Sequence, residues 1–250
     1  MRNVRLACRA LLLGVVAAIL AVGAAVAADE PKLTQQEIEK IVHDYLLREP
    51  EVLAEALRRL QQRQSASAAQ KAKQAIRDNQ QALLSDQTSP IEGNAQGKVT
   101  IVEFFDYRCV HCRRVASTLE NLVRSNTSVR VVYKNFPVLG EPSVLAARAA
   151  VAAQQQGGWP KLHRAMLAYE GDFTTDSLAA LGASVGLDAA KLKTDMMSPA
   201  TDKSLQANLA LAAALGLDAT PSFVIGDRVI RGAPSAETLQ AIVDEESRKR

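Results

Sequence analysis

A chain of 250 residues, 48% hydrophobic and 23% charged, is long enough to bury a core and to form one or two domains. Its formal net charge is +3, but three of the 30 basic residues and none of the 27 acids fall in the first 28 residues, so the remainder balances at 27 of each. That balance gives no electrostatic case for a nucleic-acid or membrane-surface partner, and three cysteines are too few for a disulfide-stapled framework.

Residues 1–28 have the pattern of a secretory signal peptide. Arg2, Arg5 and Arg9 make a basic start, Leu11 to Val22 is an apolar run, and Ala25-Val26-Ala27 supplies a small-residue cleavage site, with the cut expected near Ala27/Ala28. The apolar run is short for a membrane span. Export removes Cys8 and leaves Cys109 and Cys112, three positions apart, as the only sulfur pair. In an exported protein such a pair reads as a working redox dithiol.

From Leu33 to about Leu60 apolar residues recur at three and four, as in Ile38, Ile41, Val42, Tyr45 and then Leu53, Leu57, Leu60. Thr34 with Glu37 fits a capping box, and Pro50 marks the start of a second helix. These short helices need a partner surface, either the rest of the chain or another copy. Gln61 to Leu84 has only a thin apolar stripe and reads either as a solvated helix or linker, or as an arm connecting an oligomerising head to a catalytic domain. Ser85 to Gly97, with Pro90 and Gly93, reads as a loop.

Lys98 to Phe105 is a continuous apolar strand, expected at the centre of a sheet. A helix from Cys109 to about Ser125 and a strand from Val129 to Phe136 complete a βαβ unit with parallel pairing. A long helical region follows, from about Ser143 to Leu215. Ser222 to Ile225 and Arg228 to Arg231 form a hairpin around Gly226-Asp227, and Ser235 to Glu246 closes the chain as a helix. With the helical block set aside, the order is β-α-β then β-β-α. That is an α/β thioredoxin fold with an inserted helical domain at about residues 140–216. It spans residues 89–250, preceded by a helical arm and linker over residues 29–88.

The chemistry centres on Cys109-Val110-His111-Cys112. Cys109 falls at a helix N-terminus, where free N–H groups and the helix dipole favour a thiolate, and Cys112 lies one turn beneath it as the resolving thiol. His111 either adds a hydrogen bond or charge to Cys109, or is an exposed turn residue. Glu103, on the apolar strand, is either at an edge in water or a buried acid near Cys112 that accepts a proton during exchange. Thr220-Pro221, just before a strand, suits a cis bond that brings Thr220 backbone groups beside the dithiol for a substrate peptide. Trp159 and His163 read as packing residues, and Asp106 and Tyr107 as shaping the turn. Zinc is disfavoured, since it wants four ligands and only His43, His111 and His163 could join the cysteines. Two thiolates could hold Cu(I) at Cys109 and Cys112.

On these residues, from about Pro90 to the C-terminus, the chain resembles the DsbA-like periplasmic thiol–disulfide oxidoreductases. The shared stretch is Val102-Glu103-Phe104-Phe105-Asp106-Tyr107-Arg108-Cys109-Val110-His111-Cys112, with the inserted helices and Thr220-Pro221. The resemblance implies an exposed nucleophile at Cys109, a buried partner at Cys112, a buried acid at Glu103 and a cis-proline at Pro221. The redox-active disulfide Cys109–Cys112 is then the only redox group. Val110 stands where the archetypal oxidase has proline, and Thr220 is similar to what isomerase branches carry. The stretch Ile41-Val42-His43-Asp44-Tyr45-Leu46-Leu47-Arg48-Glu49-Pro50-Glu51-Val52-Leu53 resembles the leader domain of suppressor-of-copper-sensitivity C (ScsC-like) proteins, some of which trimerise through such helices. The expectation is a periplasmic interchange protein that isomerises or reduces disulfides in unfolded or misfolded exported clients. It would be a homo-oligomer, trimer or dimer, through residues 33–84, with a membrane thiol reductase or oxidase as redox partner. The alternatives are a monomeric oxidase donating disulfides and a Cu(I)-binding, copper-tolerance protein.

Overall fold

The computed structural model describes residues 33–249, so the expected signal peptide lies outside the described residues. The chain divides into two compact units between Gln62 and Arg63. In the first, α1 (Gln35–Arg48) starts at the expected capping box: the Glu37 N–H donates to Thr34 Oγ1 at 3.3 Å and the Thr34 N–H donates to Glu37 Oε2 at 2.9 Å. No residue of α1 is buried, and Ile38, Ile41, Val42 and Tyr45 are exposed, as are Leu53, Leu57 and Leu60 beyond it. The next helix, α2 (Glu51–Asp78), begins directly after Pro50 and continues unbroken through Gln61 for 28 residues. A short α3 (Gln80–Leu84) follows.

The second unit is built on a five-stranded sheet of order β1-β3-β2-β4-β5. Its centre is β2 (Val99–Phe105), whose unbroken apolar run is explained by burial at all seven positions. It runs parallel to β3 (Val129–Asn135), from Val99 opposite Val129 to Phe105 opposite Asn135, and antiparallel to β4 (Ser222–Ile225). The hairpin β4–β5 (Arg228–Arg231) turns at Gly226, whose φ of 61° favours glycine and which also packs against the Glu246 carboxylate. The expected loop at 85–97 contains a strand, β1 (Ile91–Gly93), paired antiparallel with the outer side of β3. Three residues carry too little periodicity to announce a strand; the pairing comes from the exposed ladder of β3.

One face of the sheet packs against α4 (Val110–Ser125) and the C-terminal α10 (Ala236–Arg248), through Val115, Leu119, Leu239 and Val243. The inserted helices α5 (Glu141–Gln155), α6 (Trp159–Ala168), α7 (Thr175–Ser184) and α8 (Ala189–Met196) extend this core, and the small buried residues Ala146, Ala149, Ala150 and Ala153 let α5 sit centrally among them. The other face, Val102, Phe104, Val132 and Val224, is covered by Leu211 and Leu215 at the end of α9 (Pro199–Ala214), together with Ile76 of α2 and Leu83 of α3. The compact unit therefore begins at Arg63, earlier than the expected boundary at 89, because Ile76 and Leu83 belong to its core. Among the described residues no helix is long and apolar enough to cross a membrane.

Candidate active site

The end of β2 delivers the chain to a tight turn at Asp106–Arg108. The Cys109 N–H donates to the Asp106 carbonyl at 3.0 Å, leaving Cys109 as the N-cap of α4 in extended conformation. The Arg113 N–H then donates to the Cys109 carbonyl at 3.1 Å and starts the helix. Cys112 falls one turn along, on the face that packs onto the sheet, 2% exposed. Both thiols are free, and the Cys109 S–H donates to the Thr220 carbonyl at 3.3 Å. The Thr220–Pro221 bond is cis, as expected. The loop around it is fixed by Ser222 Oγ donating to the Ala219 carbonyl at 2.7 Å and by the Gly232 N–H donating to the Pro221 carbonyl at 2.9 Å.

Cys109 itself is only 7% exposed, less open than the resemblance implied, because the Thr220 carbonyl and the flanking loops close over it. It lines a surface cleft of about 440 Å³ with Val110, His111, Val138, Leu139 and Thr220. Val110, Val138 and Leu139 are exposed apolar side chains, so the mouth of the site is greasy. His111 stands exposed in the first turn of α4, on the same cleft.

Glu103 is buried rather than at a wet edge, since β2 has neighbours on both sides. Burial, followed by the charges of Cys109 and Glu92, pushes its carboxyl up to about 8. Burial likewise pushes the Cys112 thiol well up, and a charged Glu103 would push it further. Glu103 is therefore the more acidic of the two, and its carboxylate is the group placed to take the proton from the Cys112 thiol during exchange.

Two residues read from the sequence as turn-shapers do more. Asp106 is 2% exposed, and its carboxylate accepts from the backbone N–H groups of Arg108 (2.8 Å), Val138 (2.9 Å) and Leu139 (3.1 Å). It thereby ties the dithiol turn to the loop forming the opposite wall of the cleft. The Tyr107 hydroxyl is hydrogen-bonded to His163 in α6, beneath the site. No spacing signals these contacts, because their partners lie 32 and 56 residues away. Among the described residues no group of three or more His, Cys, Asp or Glu side chains could hold a metal ion.

A dithiol at a helix start, facing a cis-proline loop on a mixed sheet, defines a thioredoxin-fold redox protein. Known proteins narrow the class. The thioredoxin family model Thioredoxin_4 matches residues 85–245, and the model for the copper resistance protein ScsC N-terminal domain matches residues 35–67. The chain belongs to the thioredoxin family, among its DsbA-like and ScsC-like thiol–disulfide oxidoreductases. A thioredoxin-like oxidoreductase from Silicibacter pomeroyi DSS-3 is 40% identical, with TM-score 0.66 over 69% of this chain and 99% of that one. ScsC of Proteus mirabilis in a transitional conformation is 30% identical, with TM-score 0.66 over 86% of this chain and 98% of that one. The thiol:disulfide interchange protein DsbA of Bordetella parapertussis is 27% identical over 61% of this chain and 78% of its own length. The chain spans only 25% of the Na(+)/H(+) antiporter NhaA of Herminiimonas arsenicoxydans, which it also matches.

Proposed function

We propose that this chain catalyses thiol–disulfide exchange on exported proteins in the periplasm, isomerising or reducing their disulfides. Cys109 attacks a client disulfide to give a mixed disulfide, and Cys112 resolves it by closing the Cys109–Cys112 bond. The observation that carries this reading is the Cys109 S–H on the Thr220 carbonyl at 3.3 Å, with Cys112 buried beneath and Glu103 held near 8. The apolar rim of Val110, Val138 and Leu139 suits unfolded segments with exposed hydrophobic side chains. No cofactor beyond the dithiol is required, and the redox partner is a membrane thiol reductase or oxidase.

The direction, isomerase or reductase before oxidase, rests on Val110 in place of proline and on a multimer formed through the exposed apolar side chains of residues 33–60. The match of residues 35–67 to the ScsC N-terminal domain supports that association. Refolding of scrambled ribonuclease tests it: activity no greater than that of Cys109→Ala would remove the isomerase reading. A monomeric oxidase remains the competing reading, supported by the DsbA relatives, and a strongly oxidising potential in a redox titration would select it. The copper-resistance description of the N-terminal match supports a further role, Cu(I) held by the two thiolates, which competition against a Cu(I) chelator measures.

A further inference from the structure

The loop between β3 and α5 carries the far rim of the dithiol cleft. Its residues Val138 and Leu139 are 42% and 49% exposed, so their side chains bury too little to anchor it. The backbone does so instead. Asp106 Oδ2 accepts from the N–H groups of Val138 at 2.9 Å and Leu139 at 3.1 Å, while Oδ1 accepts from the Arg108 N–H at 2.8 Å. The Asp106 carbonyl takes the Cys109 N–H at 3.0 Å. One buried residue therefore serves both walls, the turn that presents Cys109 and the loop across the cleft. The ends of the loop are fixed separately. The Phe136 N–H donates to the Phe105 carbonyl at 2.8 Å, and Gly140, with a φ of 92°, turns the chain into α5. Between those ends, Asp106 sets where Val138 and Leu139 stand relative to Cys109 and to the exposed Val110 of α4.

We propose that Asp106 is a positioning residue that sets client preference, holding Val138 and Leu139 where they receive a large apolar side chain beside the client cysteine. The inference rests on the exchange chemistry and the apolar rim proposed above, and it adds what fixes that rim. An extended client advances about 3.3–3.6 Å per residue. The cleft is about 440 Å³, so a residue next to a cysteine joined to Cys109 meets its rim. A buried carboxylate that holds two adjacent N–H groups keeps the rim in place before the client arrives, which lowers the ordering cost of docking. Polar clients and small disulfides gain nothing from the rim. Asp106 thus separates classes of substrate and does not speed exchange in general.

Two substitutions cut the tie to the loop and keep the dithiol turn. In Asp106→Ser the hydroxyl accepts from the Arg108 N–H two residues on, as in an ST-turn, but is too short for the loop. In Asp106→Asn the side-chain carbonyl serves Arg108, and the amide N–H groups meet two further donors. With the full chain and glutathione as the reductant, turnover is measured on three substrates. These are the disulfide of mercaptoethanol and the disulfide-linked dimers of two peptides, whose cysteine is flanked by leucine or by serine. Wild type is expected to show a KM about tenfold lower for the leucine peptide than for the serine peptide. Both Asp106 variants should lose that preference through KM, with kcat and the mercaptoethanol disulfide unchanged. Leu139→Ser should lose it as well, and adding Asp106→Ser to it should change nothing further. Full leucine preference in the Asp106 variants overturns the inference, and so does equal slowing on all three substrates, which would make Asp106 a support of the turn alone. A wild type that exchanges without any leucine preference removes the apolar rim and this inference together, and one inactive on all three removes the exchange reading itself. Either Asp106 variant carries the test if the other folds poorly.

Discussion

The hydroxyl of Tyr107 lies 2.9 Å from Nδ1 of His163, joining the turn before Cys109 to the inserted helix α6. Both residues are buried, and the His163 ring stacks on Trp159 at 4.3 Å and meets Phe105 edge-on at 5.4 Å. The insertion therefore supports the dithiol turn from below. Burial, then the charge of Arg164, pushes His163 down to about 3, so the ring is neutral at physiological pH.

Replacing His163 with leucine leaves the buried Tyr107 hydroxyl without its partner and is expected to cost about 1–3 kcal/mol in urea denaturation. Adding Tyr107→Phe should recover part of that loss, since both polar groups are then gone. A single variant as stable as wild type would contradict a structural role for this bond.

His163 also shapes the acid limb of stability. Its folded value of about 3 lies below the ordinary 6.5, so the unfolded chain binds more protons between them. The stability held above pH 6.5 is lost as pH falls towards 3, at about 1.4 kcal/mol per pH unit from this residue. His163→Leu should flatten that limb relative to wild type in denaturation curves taken from pH 7 to 4.

Glu103 acts in the opposite sense. Its folded value of about 8 lies above the ordinary carboxyl range, so stability is fully present below the unfolded value of about 4.3 and falls as pH rises towards 8. Glu103→Gln should be more stable than wild type at pH 7, by about 3 kcal/mol, with the gap closing near pH 4. The same variant should exchange disulfides more slowly, which separates a residue kept for chemistry from one kept for stability.

Cys112→Ser retains the attacking thiol and loses the resolving one. It should accumulate mixed disulfides with clients, visible as high-mass bands on non-reducing gels, whereas Cys109→Ser should form none. Equal trapping by both variants would reverse the assignment of roles.

Removing residues 33–62 should leave a folded catalytic unit of lower oligomeric mass, read by sedimentation. Extending the deletion to residue 84 strips Ile76 and Leu83 from the sheet and should lower stability by several kcal/mol, since Leu83→Ala alone is expected to cost about 2–5 kcal/mol. Equal stability of the two truncations would mean that this face of the sheet does not need its cover.

Much of this site is legible because its signals are local. Val99–Phe105 announces a central strand by composition, Cys109 a helix start by position, and Gly226-Asp227 a hairpin by turn chemistry. The positions of Glu103 and Pro221 follow once those elements are set. What escapes the sequence depends on distant partners. The strand Ile91–Gly93 exists because β3 offers it a ladder. Ile76 looks like one of a few apolar residues on a thin stripe until the sheet face that buries it is known. Asp106 resembles an ordinary turn aspartate, and only the arrival of Val138 and Leu139 shows which backbone it holds.

The stacking of Trp159 on His163 has a practical side. Trp159 is the single tryptophan of the chain, fully buried against an imidazole that touches the foundation of the dithiol turn. The molecule thus carries one built-in fluorophore at the place where the insertion meets the active-site turn. Its emission reports loosening of that junction, by acid or by denaturant, without a label and without interference from a second indole.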